Sequence, residues 1–268
     1  MSPAYTTYLI DLDGVVYRGE ALLPGAREFI AWLDAKQKKY LFLTNNSFAS
    51  EVQVVAKLLR LGIQASAAHV LGAGQAAVQY IAHRFPASTV YVVGEQPLID
   101  MVCEHKLKVA SSASDKIDVV LVGLDRTFDY QKLTTAVLAI RAGAAFVAIN
   151  RDALLPIAGG LVAGCGTMVA AIEAGSEVKP EVIGKPQPTL LQEAMRSLNS
   201  TPEETVMIGD TLGIDILAGQ AAGTHTLLVL SGKDTRESLL RSSIKPDYVY
   251  ADLAAVLSFN PQTDHESP

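Results

Sequence analysis

The stretch Tyr8-Leu9-Ile10-Asp11-Leu12-Asp13-Gly14-Val15-Val16-Tyr17 is an apolar run that stops abruptly at two carboxylates separated by a single residue. It reads as a buried strand ending at Asp11, with the chain turning at Gly14, because Asp and Gly are poor strand residues and good turn residues. In an open α/β sheet, ligands collect at the carboxyl ends of the strands. Two carboxylates there make a hard, oxygen-rich site suited to Mg²⁺, which takes one or two carboxylates and fills its shell with waters and phosphate oxygens. An isolated Asp-X-Asp-Gly is equally an ordinary turn with two solvated acids. The rest of the chain decides between the two.

The chain has 268 residues, enough for one or two domains with a large core. Hydrophobic residues make up 49%, a globular rather than a disordered composition. Lys plus Arg number 22 against 28 Asp plus Glu, a formal charge of −6. That acidity argues against nucleic acid as a partner, since phosphate-backbone binding needs a basic face. A small phosphate can still bind where the positive charge is local or supplied by a metal. The two cysteines, Cys103 and Cys165, have no Cys-X-X-Cys spacing and read as buried free thiols in a reducing compartment. No charged start followed by an apolar run opens the chain, and no apolar span reaches membrane length. The expectation is a soluble cytoplasmic protein without a membrane partner.

Beyond the acidic turn, Ala26 to Ala35 has helical spacing, and Tyr40-Leu41-Phe42-Leu43 is a second strand that ends at Thr44-Asn45-Asn46-Ser47 before a helix from Ser50 to Leu61. Hydroxyls, amides and the N–H groups of a helix start can hold phosphate oxygens there, although the same residues serve routinely as an N-cap cluster. Gly72 to Ala82 reads as a further helix. Alternating strands and helices follow: Thr89 to Glu95, Pro97 to Glu104, Val119 to Val122, Tyr130 to Arg141 and Ala145 to Ile149. The reading is an inserted α/β domain over residues 84–179, between core segments 1–83 and 180–260, with a flexible tail over 261–268.

Within the insertion, Asn150, Arg151 and Asp152 place polar groups after a strand; Arg151 suits a substrate anion or, equally, a local Arg–Asp pair. The Gly-rich run from Ala158 to Thr167 lacks both nucleotide-loop spacings, and is read instead as tight turns against the other domain. Val182-Ile183-Gly184-Lys185-Pro186 then holds a lysine between Gly and Pro ahead of a helix from Pro188 to Leu198. Thr205 to Gly209 is another apolar strand, ending in Asp210, and Asp215 follows at the start of the next helix. His225 to Leu230 and Pro246 to Tyr250 complete the sheet, the latter at its edge.

A parallel sheet brings the ends of such strands to one edge, so Asp11 and Asp13, Thr44 and Asn45, Lys185, and Asp210 and Asp215 can converge. Carboxylates, one cation and hydroxyl and amide donors fit metal-assisted phosphoryl transfer better than glycosidase, dehydrogenase or serine-hydrolase chemistry. The ordered set Asp11-Leu12-Asp13-Gly14, Thr44-Asn45-Asn46, Gly184-Lys185-Pro186 and Gly209-Asp210 through Asp215 resembles the four motifs of the haloacid dehalogenase superfamily of phosphatases. A large α/β insertion between the second and third motifs resembles the NagD-like and p-nitrophenyl phosphatase branch. The likeness runs from about Tyr8 to Tyr250, with one departure: Ile214 stands where that branch usually carries Thr before the last acid.

The resemblance implies a fold and a mechanism. The fold is a Rossmann-like, doubly wound parallel-sheet core with an inserted α/β cap that closes over the site and carries substrate contacts, for which Asn150, Arg151 and Asp152 are the candidates. Asp11 is the nucleophile implied, forming an aspartyl-phosphate, and Asp13 protonates the leaving oxygen and then deprotonates water. Mg²⁺ is implied at the Asp11 carboxylate, the Asp13 carbonyl, Asp210 and Asp215. Gly14, Thr44, Asn45, Asn46 and Lys185 are the implied phosphate contacts. The substrate is a small phosphorylated metabolite (a nucleoside monophosphate, pyridoxal phosphate, a sugar phosphate, phosphoglycolate or p-nitrophenyl phosphate), and two chains are expected to pair through the cap. A phosphoryl transferase or mutase of the same superfamily and a non-catalytic phosphate-binding module are the alternatives. The short connection from Asp13 to Phe29 leaves no room for a mutase-type cap, and the presence of both Asp11 and Asp13 counts against a degenerate binding module.

Overall fold

In the computed structural model, which describes residues 5–45, 51–112, 115–157 and 160–258, the first apolar run forms the strand Thr7–Asp11. Tyr8, Leu9 and Ile10 are fully buried, as a strand covered on both faces requires. It lies in the interior of a six-stranded sheet with the order Tyr248–Tyr250, His225–Val229, Thr205–Gly209, Thr7–Asp11, Lys39–Thr44 and Val70–Gly72. Parallel pairing sets Ile10 opposite Ile208 on one side and Phe42 on the other. Chain order runs outward in both directions from the first strand, so the winding reverses between Thr7–Asp11 and Thr205–Gly209. This is the Rossmann-like, doubly wound α/β arrangement that the sequence predicts, and its switch point is where such sheets bind ligands.

By contact the chain divides into two units: residues 1–44, 51–71 and 185–268 form the first, and residues 45–50 and 72–184 the second. The second has a five-stranded sheet of its own, in the order Glu181–Val182, Ala145–Ala148, Val119–Val122, Thr89–Val93, Lys108–Val109. All four of its pairings are parallel. Its core packs Val120, Val122, Phe146 and Ala148 against Met168, Val169 and Ile172 of the helix Cys165–Ser176. The division falls at residue 72 rather than 84 because the helix Ala73–Arg84 packs on the helix Gln96–Glu104. The expected tail over 261–268 lies outside the described residues.

The Gly-rich run forms an antiparallel hairpin, Leu154–Ile157 with Gly160–Ala163, followed by the helix Cys165–Ser176. Gly164 and Gly166 pack on a loop of their own unit: a Cβ on Gly166 would lie 2.3 Å from the Arg151 carbonyl oxygen, and the Gly166 N–H donates to the Asp152 carbonyl at 2.9 Å. Among the described residues, no helix is long and apolar enough to cross a membrane.

A buried polar knot follows the strand Val119–Val122. One Asp125 carboxylate oxygen accepts from the Thr127 N–H at 2.8 Å and its hydroxyl at 2.7 Å, and the other accepts from Lys132 Nζ at 2.6 Å. Burial by itself would raise the Asp125 carboxyl, but these donors hold it below the usual range. A carboxyl lowered on folding stabilises the fold above its unfolded pKa, and that contribution is lost as the pH falls through the folded value. Asp125→Asn should therefore lower the unfolding free energy by about 2 kcal/mol near neutral pH. In denaturant titrations the gap to the parent should close on acidification; a gap that is absent, or that widens in acid, contradicts the assignment.

Candidate active site

Lys185 reaches the first unit by a route that the sequence does not suggest. It does not end a strand of the six-stranded sheet. The preceding residues run alongside the second sheet, with the Ile183 N–H donating to the Ala148 carbonyl at 3.0 Å and the Gly184 N–H to the Ile149 carbonyl at 2.8 Å. Pro186 and Pro188 then supply no ladder donors, and the chain leaves the sheet for the helix Thr189–Ser197. Lys185 itself is buried, 5% exposed. Its Nζ donates to Asp11 Oδ1 at 2.5 Å and to Asp215 Oδ1 at 2.7 Å.

Asp210 follows the strand Thr205–Gly209 directly, beside Asp11 across the switch point. Each of its oxygens has a donor: the Thr211 hydroxyl at 2.9 Å on Oδ1, and the Lys233 N–H at 2.7 Å on Oδ2. Asp215 lies in a wide helical turn, Leu212–Ile216, whose first carbonyl, that of Thr211, accepts from the N–H groups of Ile214, Asp215 and Ile216. The Thr211 N–H in turn reaches Asp215 Oδ2 at 3.1 Å. Asp215 is thus held by Lys185 and by backbone, and the apolar Ile214 leaves that seat intact.

Asp11, Asp210 and Asp215 each offer an oxygen, and these oxygens lie within 4.8 Å of one another. Three carboxylates lie near one ammonium, which bonds Asp11 and Asp215. Burial, then the neighbouring Asp215 and Asp210, push the Asp11 carboxyl up to about 7 in spite of Lys185. Asp210 is raised for the same reasons, burial first, against the Lys233 N–H and the Thr211 hydroxyl. Lys185 is held above its ordinary value, because Asp11 and Asp215 outweigh the cost of burying its charge. The cluster carries more negative charge than its lysine offsets, and all its donor atoms are hard oxygens, so it fits a small divalent cation.

Asp13 is open to solvent, yet enough protein surrounds it that burial raises its carboxyl, with Lys57 opposing the shift. Gly14 has φ of 83°, and a Cβ there would lie 2.2 Å from Asp210 Oδ2, so both backbone and space demand glycine. Thr44 ends the strand Lys39–Thr44, one residue beyond the pairing of Asp11 with Leu43, and so lies at the same sheet edge. Asn45 counts with the second unit, where its carbonyl accepts from the buried Asn150 Nδ2 at 3.1 Å. Asn46 lies outside the described residues.

Asn150 Oδ1 also accepts from the Asp152 N–H at 3.1 Å, which makes it the brace of this loop. Arg151 pairs with Glu173, an acid far along the chain, rather than with Asp152. Thr211, Lys233 and Asp234 were not foreseen. Asp234 accepts from the Leu212 N–H at 2.6 Å, and its own N–H donates to the Asp210 carbonyl at 3.1 Å. Thr211 was within reach of a sequence reading, as the hydroxyl next to a motif acid. The Lys233 contact is a backbone one and leaves no side-chain signal.

Two family profiles match the chain: haloacid dehalogenase-like hydrolase over residues 8–108, and HAD-hydrolase-like over residues 182–256. The chain is 34% identical to an acid sugar phosphatase of Staphylococcus saprophyticus, over 94% of this chain and 97% of that one. It is 37% identical to the 5′-nucleotidase YutF of Bacillus subtilis, over 93% of this chain and 96% of the relative. Its structure is similar to that of NagD from E. coli K-12, with a TM-score of 0.86 at 29% identity, covering 94% of this chain and 98% of that one. It is also similar to a glycerol phosphate phosphatase, Rv1692 of Mycobacterium tuberculosis, solved in complex with magnesium. That likeness has a TM-score of 0.84 at 34% identity and covers 95% of this chain and 77% of that one.

The contacts of Gly14 give a direct test of how tightly the acids are packed. Gly14→Ala should lower stability by about 1–2 kcal/mol from the left-handed backbone alone, and by more once the clash with Asp210 is counted. Chemical denaturation reads the effect, and a midpoint equal to the parent's would contradict the packing described.

Proposed function

The chain belongs to the haloacid dehalogenase-like hydrolases, in their NagD-like branch, and is a phosphoric monoester hydrolase; on that premise we propose that it hydrolyses small phosphate monoesters with Mg²⁺ through an aspartyl-phosphate on Asp11. The observation that carries this reading is the approach of Asp11, Asp210 and Asp215 to within 4.8 Å, around Lys185, at the carboxyl end of the sheet. The Asp11 carboxylate, the Asp13 carbonyl and Asp210 would hold Mg²⁺, with Asp215 in support, and the ion would supply the positive charge that offsets the repulsion between these acids and the phosphoryl oxygens.

The chain's own groups then divide the chemistry. An Asp11 oxygen attacks phosphorus, and the bond from phosphorus to the leaving oxygen breaks as Asp13 supplies its proton. Asp13, now ionised, takes a proton from the water that attacks the phosphorylated Asp11, and phosphate departs. Lys185 and the Thr44 hydroxyl steady the phosphoryl oxygens, whose charge shifts during transfer. The buried frame of Lys185 supports this, because a pre-set cation spends no reorganisation energy at the moment of reaction.

The relatives' names support small organic phosphates as substrates, with sugar phosphates, nucleotides and glycerol phosphate as first choices. The role of Asn150, Arg151 and Asp152 in selecting among them has less support: Asn150 braces its loop and Arg151 is paired with Glu173. Pairing of two chains through the second unit has support in the exposed Leu154 and Leu161 of its hairpin.

Inorganic phosphate release from a panel of such monoesters tests the reading. Turnover should require Mg²⁺, cease with EDTA and return with added metal; indifference to the chelator removes the metal from the account. Asp11→Asn should lose turnover by at least about a thousandfold with its fold intact. Full activity in that variant rules out Asp11 as the nucleophile.

A further inference from the structure

The Asp13 carboxylate opens to solvent, and among the described residues no hydrogen bond reaches it. Where it points is therefore set by the backbone turn that carries it. That turn is fastened at both polar atoms of the next residue. The Gly14 N–H donates to the Tyr17 carbonyl at 2.8 Å, and the Gly14 carbonyl accepts from Ser231 Oγ at 2.8 Å. Asp13 itself forms a bridge with Tyr17.

The two fasteners come from different places in the chain. Tyr17 begins a small hairpin, Tyr17–Arg18 with Ala21–Leu22, which turns at Gly19 with φ of 56°. Ser231 begins the loop whose Lys233 N–H holds Asp210 Oδ2 at 2.7 Å. A hairpin with so few pairs has little stability of its own and takes its position from what tethers it. Glu20, at its tip, meets Lys57 at 3.9 Å and Arg60 at 3.7 Å, long surface pairs that contribute little. Lys57 also lies 3.6 Å over the Tyr17 ring, and its charge bears on the Asp13 carboxyl without a hydrogen bond to it. Arg18 is different. Its guanidinium donates to the Ser231 carbonyl and, at 3.0 Å, to the Gly232 carbonyl. Charge-assisted donation to two neighbouring carbonyls is strong and directional.

We propose that Arg18 is a positioning residue for Asp13: it stitches the hairpin that holds the Gly14 N–H to the loop that holds the Gly14 carbonyl and Asp210. The inference rests on the reading of Asp13 as the proton donor. Without the stitch the fold persists, since Arg18 is exposed and fills no core; the acid turn then keeps the Val16 and Tyr17 N–H bonds to the Leu12 carbonyl and the Ser231 Oγ bond to the Gly14 carbonyl, but is held less firmly against Asp11 and Asp210.

The test uses two leaving groups. p-Nitrophenolate departs without a proton, whereas the alkoxide of glycerol phosphate needs one, so a misplaced acid harms the second substrate selectively. With Mg²⁺ present, Arg18→Ala should lower kcat/KM for glycerol phosphate by about tenfold more than for p-nitrophenyl phosphate. Its Tm should equal the parent's. Arg18→Lys, whose ammonium reaches one carbonyl, should restore part of the selective loss, and it serves as the test if the Ala variant does not fold. Equal losses on the two substrates, no loss, or a loss in step with a fallen Tm and no rescue by Lys would overturn the proposal. A parent that turns over neither substrate, nor any monoester of the panel, would instead reject the phosphatase reading on which it rests.

Discussion

The buried ammonium of Lys185, bonded at once to Asp11 and Asp215, is the constraint around which the first unit is built. Carboxylates this close and this buried repel one another, and removing the one cation would leave uncompensated charge at a cost of about 3–5 kcal/mol. The partners come from distant parts of the chain: the first strand, the turn after Thr205–Gly209, and the segment that follows the insertion. Each is held by backbone as well. Asp11 ends a strand paired on both sides, Asp215 receives the Thr211 N–H, and Lys185 is framed by Gly184 and Pro186. The excess of negative charge that remains is what makes the place a site rather than a structural ion pair.

Much of this is legible in the sequence because the relevant signals are local. An apolar run stopped by Asp11-Leu12-Asp13-Gly14 has one sensible reading, and the structure has that strand end, at the switch point of a doubly wound sheet. The strands Val119–Val122 and Thr205–Gly209 and the helix Tyr130–Arg141 follow from unbroken apolar runs or helical spacing in the same way. What was not legible rests on contacts between residues far apart. Ser231, Gly232 and Lys233 wrap the acid turn largely through backbone groups, which carry no side-chain signature. Lys185 looks like the end of a strand, yet two prolines send it out of the sheet beside it.

The second unit shows the same division. Its alternating strands and helices were plain, whereas the hairpin Leu154–Ile157 with Gly160–Ala163 and the helix Cys165–Ser176 were hidden by glycines that read as loop. Gly166 is there because the chain passes against the Arg151 carbonyl, a reason no local pattern contains. Arg151 and Asp152, adjacent in sequence, invite a local pair; the guanidinium instead crosses to Glu173 on that helix. Charge types were readable, and partners were not.

The most direct test of the account is to trap the phosphoryl group on the chain. Borohydride reduction during turnover converts an aspartyl-phosphate to homoserine, and peptide mass mapping then locates the altered residue. The account predicts homoserine at position 11, dependent on substrate and Mg²⁺, and none in Asp11→Asn. Steady turnover with residue 11 unmodified, or modification at another acid, would contradict it.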